Sequence, residues 1–308
     1  MTGEPHDTRF VVPAPGGRVD RVVADFLGLG RRDVKHLLDI GCVRVDGRRS
    51  DAGTFVAAGA VIDVERTDTP RAESEPAVAI GERPGREEPR VVWRNAGLVA
   101  VYKPAGFHSV RGLGRPSIAD FVAERFPETL GIGRSEVDSG LVHRLDRDTS
   151  GLMLVATDQA TYDSLKAAFA AGALLKEYLA LVAGVVSAPR TIEIPLARRR
   201  SHVRPARRGE IGREAVTTVT PLEIGAYWTL VSAAMRTGVT HQIRAHLALV
   251  GHAVIGDVKY GAASSRLRAH GHLLHARRIT FDSGVSLAVD PGVVFLETLA
   301  SLRNDEPE

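Results

Sequence analysis

Two carboxylates spaced two residues apart, with arginines around them, mark the stretch where chemistry is most concentrated. It reads Leu141-Val142-His143-Arg144-Leu145-Asp146-Arg147-Asp148-Thr149-Ser150-Gly151 and runs into the apolar segment Leu152-Met153-Leu154-Val155-Ala156. The pattern predicts two buried strands joined by an acidic turn. In an extended segment alternate side chains share a face, so Val142, Arg144 and Asp146 should point one way. Leu141, His143 and Leu145 should point the other way, with His143 toward the core. An arginine and an aspartate then arrive together at the end of a strand, and the question is what that aspartate does.

Three chemistries can be weighed from residue types alone. A calcium loop would use Asp146, Asp148, Ser150 and Gly151, but its twelfth position needs a bidentate Glu and here holds Thr157. Arg144 and Arg147 also crowd that loop with positive charge. An aspartyl-phosphate phosphotransferase would take Ser150 as its Thr, yet it also wants magnesium-binding carboxylates downstream, and no paired-Asp motif follows. A zinc site could be sought in His270, His272 and His275. Cys42 is the only cysteine and no H-E-x-x-H spacing occurs, so these histidines read as structural. Asp148, Thr149 and Ser150 read as turn residues, bonding nearby backbone amides.

The elements that must position this turn follow from periodicity. Val91–Trp93 and Leu98–Tyr102 flank an Asn95-Ala96-Gly97 turn and read as strands, closed by Lys103-Pro104-Ala105-Gly106. Ser117 can cap a helix carrying Ile118, Phe121 and Val122, and Asp158 one carrying Tyr162, Leu165 and Phe169 and ending at Gly172. Strands are expected over Lys176–Val182, Ala215–Leu222 and Trp228–Met235. Thr240 is the expected cap of a helix with Ile243, Leu247 and Val250 on its core side and Arg244 off that stripe, facing a cleft. Strands and helices alternate without a βαβ rhythm, so the fold class is α+β, with a mixed, largely antiparallel sheet.

Ahead of this lies a smaller unit. Val19, Val22, Val23, Phe26 and Leu27 have helical spacing, with Gly28 and Gly30 as the stop. A second short helix should carry Val34, Leu37 and Leu38 and end at Gly41. Val43-Arg44-Val45, an Asp46-Gly47 turn and an apolar segment over Phe55–Val64 follow. Arg31, Arg32 and Lys35 lie off the apolar stripe of the second helix, and Arg44, Arg48 and Arg49 decorate the hairpin. So many cations on one small unit favour an RNA-binding footprint over a merely solvated surface. Residues 67–90 are rich in Pro, Gly and charge and read as a linker. The expected domains are 1–66, linker 67–90, and 91–308.

Composition sets bounds. The chain has 308 residues, 44% hydrophobic, with a formal net charge of +3, which suits a globular protein of one large domain with a small companion, or of two domains of ordinary size. Only five of its 40 basic residues are lysine. Six of the arginines, Arg198, Arg199, Arg200, Arg204, Arg207 and Arg208, fall within eleven residues that contain no acid. A solvated hairpin tip is the plain reading; the density favours contact with a polyanion. No apolar run approaches the roughly 20 residues of a membrane span, and the N-terminus has no signal pattern. Cytoplasm is the expected location.

The segment H-R-L-D-R-D-T-S-G-L closely resembles the signature of the RluA-type pseudouridine synthases. V-Y-K-P-A-G-F-H-S-V before it resembles another block of that family, as do K-E-Y-L-A-L-V-A-G, T-G-V-T-H-Q-I-R-A-H-L, G-D-V-K-Y-G and L-H-A after it, all in the family's order over residues 90 to 285. Residues 17 to 65 resemble the S-four-type (alpha-L) RNA-binding domain. The resemblance implies isomerisation of specific uridines to pseudouridine in structured RNA, with no cofactor and no metal. Asp146 would be the essential catalytic residue, as nucleophile or as base on the sugar. Either role needs an ionised carboxylate, the form a nearby arginine favours.

The same resemblance implies that Arg244 pairs with Asp146 and that Tyr178 stacks on the target base. Without it, Tyr178 would read as an ordinary strand aromatic. Arg144 would fill the space the uridine leaves or hold a neighbouring phosphate, and Leu274 would lie against the base from the side opposite Tyr178. The partner is RNA, ribosomal ahead of transfer RNA, met by a monomer without membrane attachment. A catalytically silent RNA-binding or ribosome-assembly protein on the same scaffold is the alternative, disfavoured by the complete Asp, Tyr and Arg set. Two departures bear on which RNA is modified: Val239 stands where the family usually has Arg, and the C-terminal stretch lacks the common His-Pro pattern.

Overall fold

The computed structural model describes residues 8–27, 34, 37–38, 42–51, 53–64, 87–111, 116–134, 138–199, 202–207, 209–261 and 271–305. The chain divides into two compact units, Met1–Glu75 and Pro76–Glu308. Among the described residues no helix is long and apolar enough to cross a membrane.

In the first unit, β1 (Thr8–Val11), β2 (Gly17–Arg18), α1 (Val19–Leu27), β3 (Val43–Val45), β4 (Arg48–Arg49), β5 (Phe55–Val56) and β6 (Val61–Val64) follow in order. Four of the strands form a sheet in the order β1-β6-β3-β4. Val19 and Val23, one helical turn apart, are buried with Phe10, Val34, Leu38, Val43 and Ile62. Phe26, expected on the apolar stripe, is instead exposed and stacks on Phe10 at 3.8 Å. Asp46 and Gly47 both have left-handed backbones (φ 47° and 76°), the geometry of the two-residue hairpin turn that a DG pair favours. The expected helix stops Gly28, Gly30 and Gly41, and the basic residues Arg31, Arg32 and Lys35, lie outside the described residues.

The second unit contains β7 (Arg90–Asn95), β8 (Leu98–Lys103), α2 (Ile118–Arg125), β9 (Ser150–Ala156), α3 (Gln159–Ala170) and β10 (Leu174–Ala183). After these come β11 (Arg190–Glu193), β12 (Leu196–Arg199), β13 (His202–Pro205), β14 (Val216–Ile224) and β15 (Trp228–Met235). Last are α4 (Gln242–Leu249), β16 (Leu274–Phe281), β17 (Ser286–Ala288) and α5 (Val293–Asn304). The sheet runs β11-β14-β15-β10-β16-β9-β8-β7, with β17 also on β16. Its strand neighbours are antiparallel except β9 and β16, which are parallel with Ser150 opposite His275. This is the expected α+β fold with a mixed, largely antiparallel sheet.

Every residue of β9 is buried, because both faces are covered and the sequence therefore reads as continuous apolar residues rather than as alternation. Met153 and Val155 face a core shared with Ile118 and Val122 of α2 and Ile243 and Leu247 of α4. Leu152 and Leu154 face the opposite core with Tyr162 and Leu165 of α3. The expected caps hold: the Ser117 side chain accepts from the Asp120 amide (3.1 Å) and Asp158 from that of Thr161 (2.7 Å).

Two expectations are corrected. Residues 141–149 form no strand; Leu141 makes only an isolated bridge to Val155. The Ser109 hydroxyl accepts from the Leu145 amide at 3.0 Å and donates to the Leu145 carbonyl at 2.8 Å, occupying groups a strand ladder would use. Period-two alternation fails accordingly. Leu141 and Leu145 pack on the α2 side, but His143 joins Val142 on the α3 side, accepting from the Leu154 amide (2.9 Å) with its ring 4.9 Å from that of Phe169. The cap of α4 is His241, in a left-handed conformation (φ 56°), and not Thr240. The buried Gln242 side chain instead ties the helix start to the preceding loop and the sheet, accepting from the Val239 amide (3.1 Å) and donating to the Val216 carbonyl on β14 (2.9 Å).

Candidate active site

The acidic turn is clamped from several directions. Ser109 holds Leu145 as described. On the other side of Asp146, the Arg147 carbonyl accepts from the Gly106 amide and from Lys103 Nζ, both at 2.8 Å. Lys103 ends β8, is fully buried, and also donates to the Pro104 carbonyl at 2.9 Å. Burial pushes its ammonium down to about 7, against the raising effect of Asp148 and Asp146. The Thr149 amide closes the turn onto the Asp146 carbonyl (3.1 Å).

Thr149 and Ser150 do hold the turn, but not through nearby amides as expected. Thr149 Oγ1 bonds His272 Nε2 at 2.7 Å, and Ser150 Oγ bonds His275 Nδ1 at 3.0 Å. The parallel pairing of β9 and β16 puts Ser150 opposite His275 and brings Thr149 to His272, partners more than a hundred residues apart in the chain. Gly151 is required there. Its φ is 125°, and a Cβ would collide with the carbonyl oxygen of Ala276 on β16, so the strands approach only because no side chain intervenes. Asp148 is engaged by Arg147 through two bonds, at 2.7 and 3.0 Å.

Asp146 itself is reached by a residue 98 positions away. Arg244 Nη1 donates to Asp146 Oδ2 at 2.6 Å. The rest of the guanidinium is committed to Asp257: Nε donates to Oδ2 at 2.7 Å and Nη2 to Oδ1 at 2.8 Å. Such a fork fixes the ring plane as well as the distance. Burial works against the charge on Arg244, but Asp257 and Asp146 outweigh it and hold its pKa above the usual arginine value. Asp257 has no exposed side-chain surface; burial raises its pKa, but Arg244 and the Lys259 amide prevail and hold it low.

The other oxygen of Asp146, Oδ1, faces His241 Nε2 at 3.6 Å. Burial pushes His241 down to about 4, with the Asp146 charge opposing, so the imidazole is neutral at pH 7. Tyr178 lies on β10 at a register shift against β16, where Glu177 pairs with Arg278 but Tyr178 with Ala276. Bulges of this kind re-aim side chains near sites. Its neighbour on β15 is Ala233, so alanines flank the ring on both strands. Burial first, and the Asp146 charge second, raise the Tyr178 pKa, so the phenol stays protonated. Leu274 is opposite Ala180 and shares the buried cluster with Tyr178 and Leu145. Arg144, next to Leu145 in the chain, is exposed.

Of the expected RNA contacts, Arg48 in the small unit is exposed and Arg44 half-buried. In the large unit β12 and β13 form a hairpin on which Arg198 and Arg199 are exposed, as is Arg207 just beyond it. Arg200 and Arg208 lie outside the described residues. Arg204 is paired within the chain: Glu210, just beyond the six arginines, accepts from its Nη1 at 2.7 Å and its Nη2 at 3.0 Å.

Sequence reading assigned no role to Asp257, Lys103, Ser109, Gln242, His241 or Tyr260. The one signal for Asp257 is an acid directly after an apolar run, Val254-Ile255-Gly256, where a charge needs a buried partner. Lys103 had a similar signal, being one of only five lysines and placed at the end of an apolar strand.

A mixed sheet covered by helices on both faces, with a buried arginine locked between two carboxylates at the start of its one parallel strand pair, defines an α+β enzyme class. The comparisons give that class its family. Residues 97–249 match the family model described as RNA pseudouridylate synthase. An uncharacterized RNA pseudouridine synthase of Mycobacterium bovis is 32% identical over 280 residues, covering 88% of this chain and 89% of that protein. The ribosomal large subunit pseudouridine synthase D of Zymomonas mobilis is 31% identical over 281 residues, covering 85% and 81%. The solved human RNA pseudouridylate synthase domain containing 1 superposes with a TM-score of 0.57 at 24% identity, over 74% of this chain and 100% of that one, and so shares the fold. The chain belongs to the RNA pseudouridine synthase family. Its reaction class is the isomerisation of uridine to pseudouridine in RNA.

Proposed function

We propose that this chain modifies uridines in structured ribosomal RNA, with Asp146 as the reacting carboxylate. Support for ribosomal RNA comes from relatives such as the Zymomonas mobilis protein, named for the large ribosomal subunit. In the reaction the bond from uracil N1 to the anomeric carbon breaks, the uracil turns, and C5 bonds to that carbon. A proton leaves C5 and N1 gains one, so the formula is unchanged and no reductant or group donor is consumed. Asp146 acts at the sugar, as nucleophile or as base.

The observation that carries this reading is the 2.6 Å contact from Arg244 to Asp146, on an arginine itself fixed by the buried Asp257. That leaves Oδ1 as the oxygen free of the arginine. Tyr178 supplies the face on which the flipped base stacks, and Leu274 the apolar floor next to it. Arg144 fills the space left in the RNA or holds an adjacent phosphate. Removing the uridine from its stack costs a few kcal/mol, which contacts to the RNA backbone must offset. Arg198, Arg199 and Arg207, with Arg200, Arg204 and Arg208 in the same stretch, provide such contacts beside the site. The first unit acts as an alpha-L RNA-binding domain through Arg31, Arg32, Lys35, Arg44 and Arg48, joined by the linker 67–90 to a catalytic domain over 91–308. The setting is a monomer in the cytoplasm, where ribosomal RNA is made.

The test is pseudouridine mapping of all stable RNAs in cells with the gene, without it, and with Asp146→Asn. The modified position should vanish both without the gene and in the variant, while purified Asp146→Asn keeps its RNA affinity. Product formation at the wild-type rate by that variant would refute the role given to Asp146.

A further inference from the structure

Tyr260, in the segment that follows Asp257, gathers contacts that no role so far explains. Its hydroxyl accepts from the Val203 amide at 2.9 Å, and Val203 is the buried centre of β13 in the arginine hairpin. The same oxygen lies 2.8 Å from His241 Nδ1. The ring is met edge-on by His202 of that hairpin (6.2 Å between centroids) and by His241 (5.6 Å), and the Arg244 guanidinium lies 5.2 Å from its centroid. One side chain thus touches the hairpin, the residue facing Asp146 Oδ1 and the residue holding Asp146 Oδ2.

The proton positions in this chain follow from its neighbours. His241 is neutral and has one ring hydrogen. A carboxylate oxygen 3.6 Å from Nε2 favours that hydrogen on Nε2, since a lone pair there would face negative charge. Nδ1 is then an acceptor, and the Tyr260 hydroxyl must donate to it. The hydroxyl can do so while accepting from the Val203 amide, because its one O–H donor is independent of its oxygen lone pairs. The order is Val203 N–H to Tyr260 Oη, Tyr260 O–H to His241 Nδ1, and His241 Nε2–H toward Asp146 Oδ1. His241 has a left-handed backbone (φ 56°), sparsely populated for a non-glycine residue, and its ring faces the aspartate.

We propose that Tyr260 and His241 are positioning residues for the reaction, which orient Asp146 Oδ1 and tie it to the arginine-bearing hairpin. The inference rests on the reading above that Asp146 is the reacting carboxylate. Arg244 holds Asp146 Oδ2 by a hydrogen bond at 2.6 Å, and His241 faces Oδ1 at 3.6 Å, so each oxygen has its own neighbour. Because the second support is anchored in the hairpin backbone, RNA that orders the hairpin also orders the aspartate.

The experiment uses the full chain and an in vitro transcript of the mapped RNA target, tritiated at uracil C5, whose tritium is released when C5 bonds to the sugar. Single-turnover rate and RNA dissociation constant are measured separately. Tyr260→Phe, which keeps the ring and removes the hydroxyl, should lower the rate tenfold or more while the dissociation constant stays within about twofold. His241→Gln, which keeps a donor near Nε2, should retain at least a third of the rate; His241→Phe should lose tenfold. Both replacements meet the same φ, so their difference isolates the donor. Tyr260→Phe combined with His241→Phe should fall no further than His241→Phe alone. Equal rates for His241→Gln and His241→Phe, a Tyr260→Phe defect confined to binding, or additive losses would each overturn the proposal. If the wild-type chain releases tritium and Asp146→Asn does too, the reading of Asp146 fails instead, and with it this one.

Discussion

Lys103 offers the sharpest quantitative test of how the acidic turn is held. Its ammonium is fully buried, with two backbone carbonyls as its hydrogen-bond partners. Burial lowers its pKa from 10.5 to about 7. In the unfolded chain the lysine keeps its proton up to about 10.5, whereas in the folded protein it releases it near 7. Between these values the unfolded state binds more protons, so stability rises with pH across that window and is lost as pH falls toward 7. The slope is at most about 1.4 kcal/mol per pH unit.

Lys103→Met removes the titration and keeps most of the volume. It also deletes two hydrogen bonds, each contributing roughly 0.5–1.5 kcal/mol. The Arg147 carbonyl retains the Gly106 amide, so it is not left unpaired. Near pH 6 the lost bonds are offset by relief from burying a charge, and the two proteins should be of similar stability. By pH 9 the wild type should lead by a few kcal/mol. Denaturant unfolding of both proteins at pH 6, 7, 8 and 9 reads this difference directly. The other buried lysine, Lys176, pushed down by burial to about 8, is common to both and cancels. A difference that stays flat across pH 6 to 9 would refute the burial argument. The single-turnover rate should fall between tenfold and a hundredfold, because a shift of about 1 Å at a reacting group costs on that order.

Arg244→Met should abolish product formation and destabilise the fold by roughly 3–5 kcal/mol, because the fully buried Asp257 loses its partner; a thermal melt within a degree or two of wild type would contradict that account. Gly151→Ala places a Cβ against the Ala276 carbonyl at a φ of 125°, and should cost at least about 2 kcal/mol. The protein that stays folded should also turn over more slowly, because parting β9 from β16 shifts the turn that carries Asp146.

How much of this was legible depends on how far apart the cooperating residues lie. Strands β7 to β10 and both side-chain caps, Ser117 and Asp158, were readable because the signals are local: alternation, a turn pair, a cap three residues from its partner. The continuous apolar run of β9 was readable for the same reason. Asp146 stood out through the composition of its own segment, and Arg244 through a block that resembles a known family. The supports of the turn were not readable. Ser109 acts on Leu145, Lys103 on Arg147 and Asp257 on Arg244, and no periodicity links such pairs. The false strand ahead of the acidic turn, over 141–145, has a physical cause too. Its apolar residues alternate well enough for a strand, but side chains and loops take the backbone groups that a neighbouring strand would need. The pairing of Arg204 with Glu210 was not readable from the cluster either, since Glu210 lies two positions past it and folds back.

Among the described residues one pair of sheet strands, β9 and β16, is parallel, and the placement of the site follows from it. In an antiparallel pair the start of one strand lies beside the end of the other, so the loops that enter them leave from opposite edges. In the β9–β16 pair both strands start at the same edge, and the entering segments, 141–149 and 271–273, arrive side by side. Thr149 and Ser150 can therefore bond His272 and His275 directly, which fixes the turn from its C-terminal side while Ser109 and Lys103 fix it from the side of β8. The sharpest requirement for this closeness is a glycine at 151. A carboxylate held on so many sides needs little further ordering when the substrate arrives, and a single arginine with a fixed plane can then set its direction.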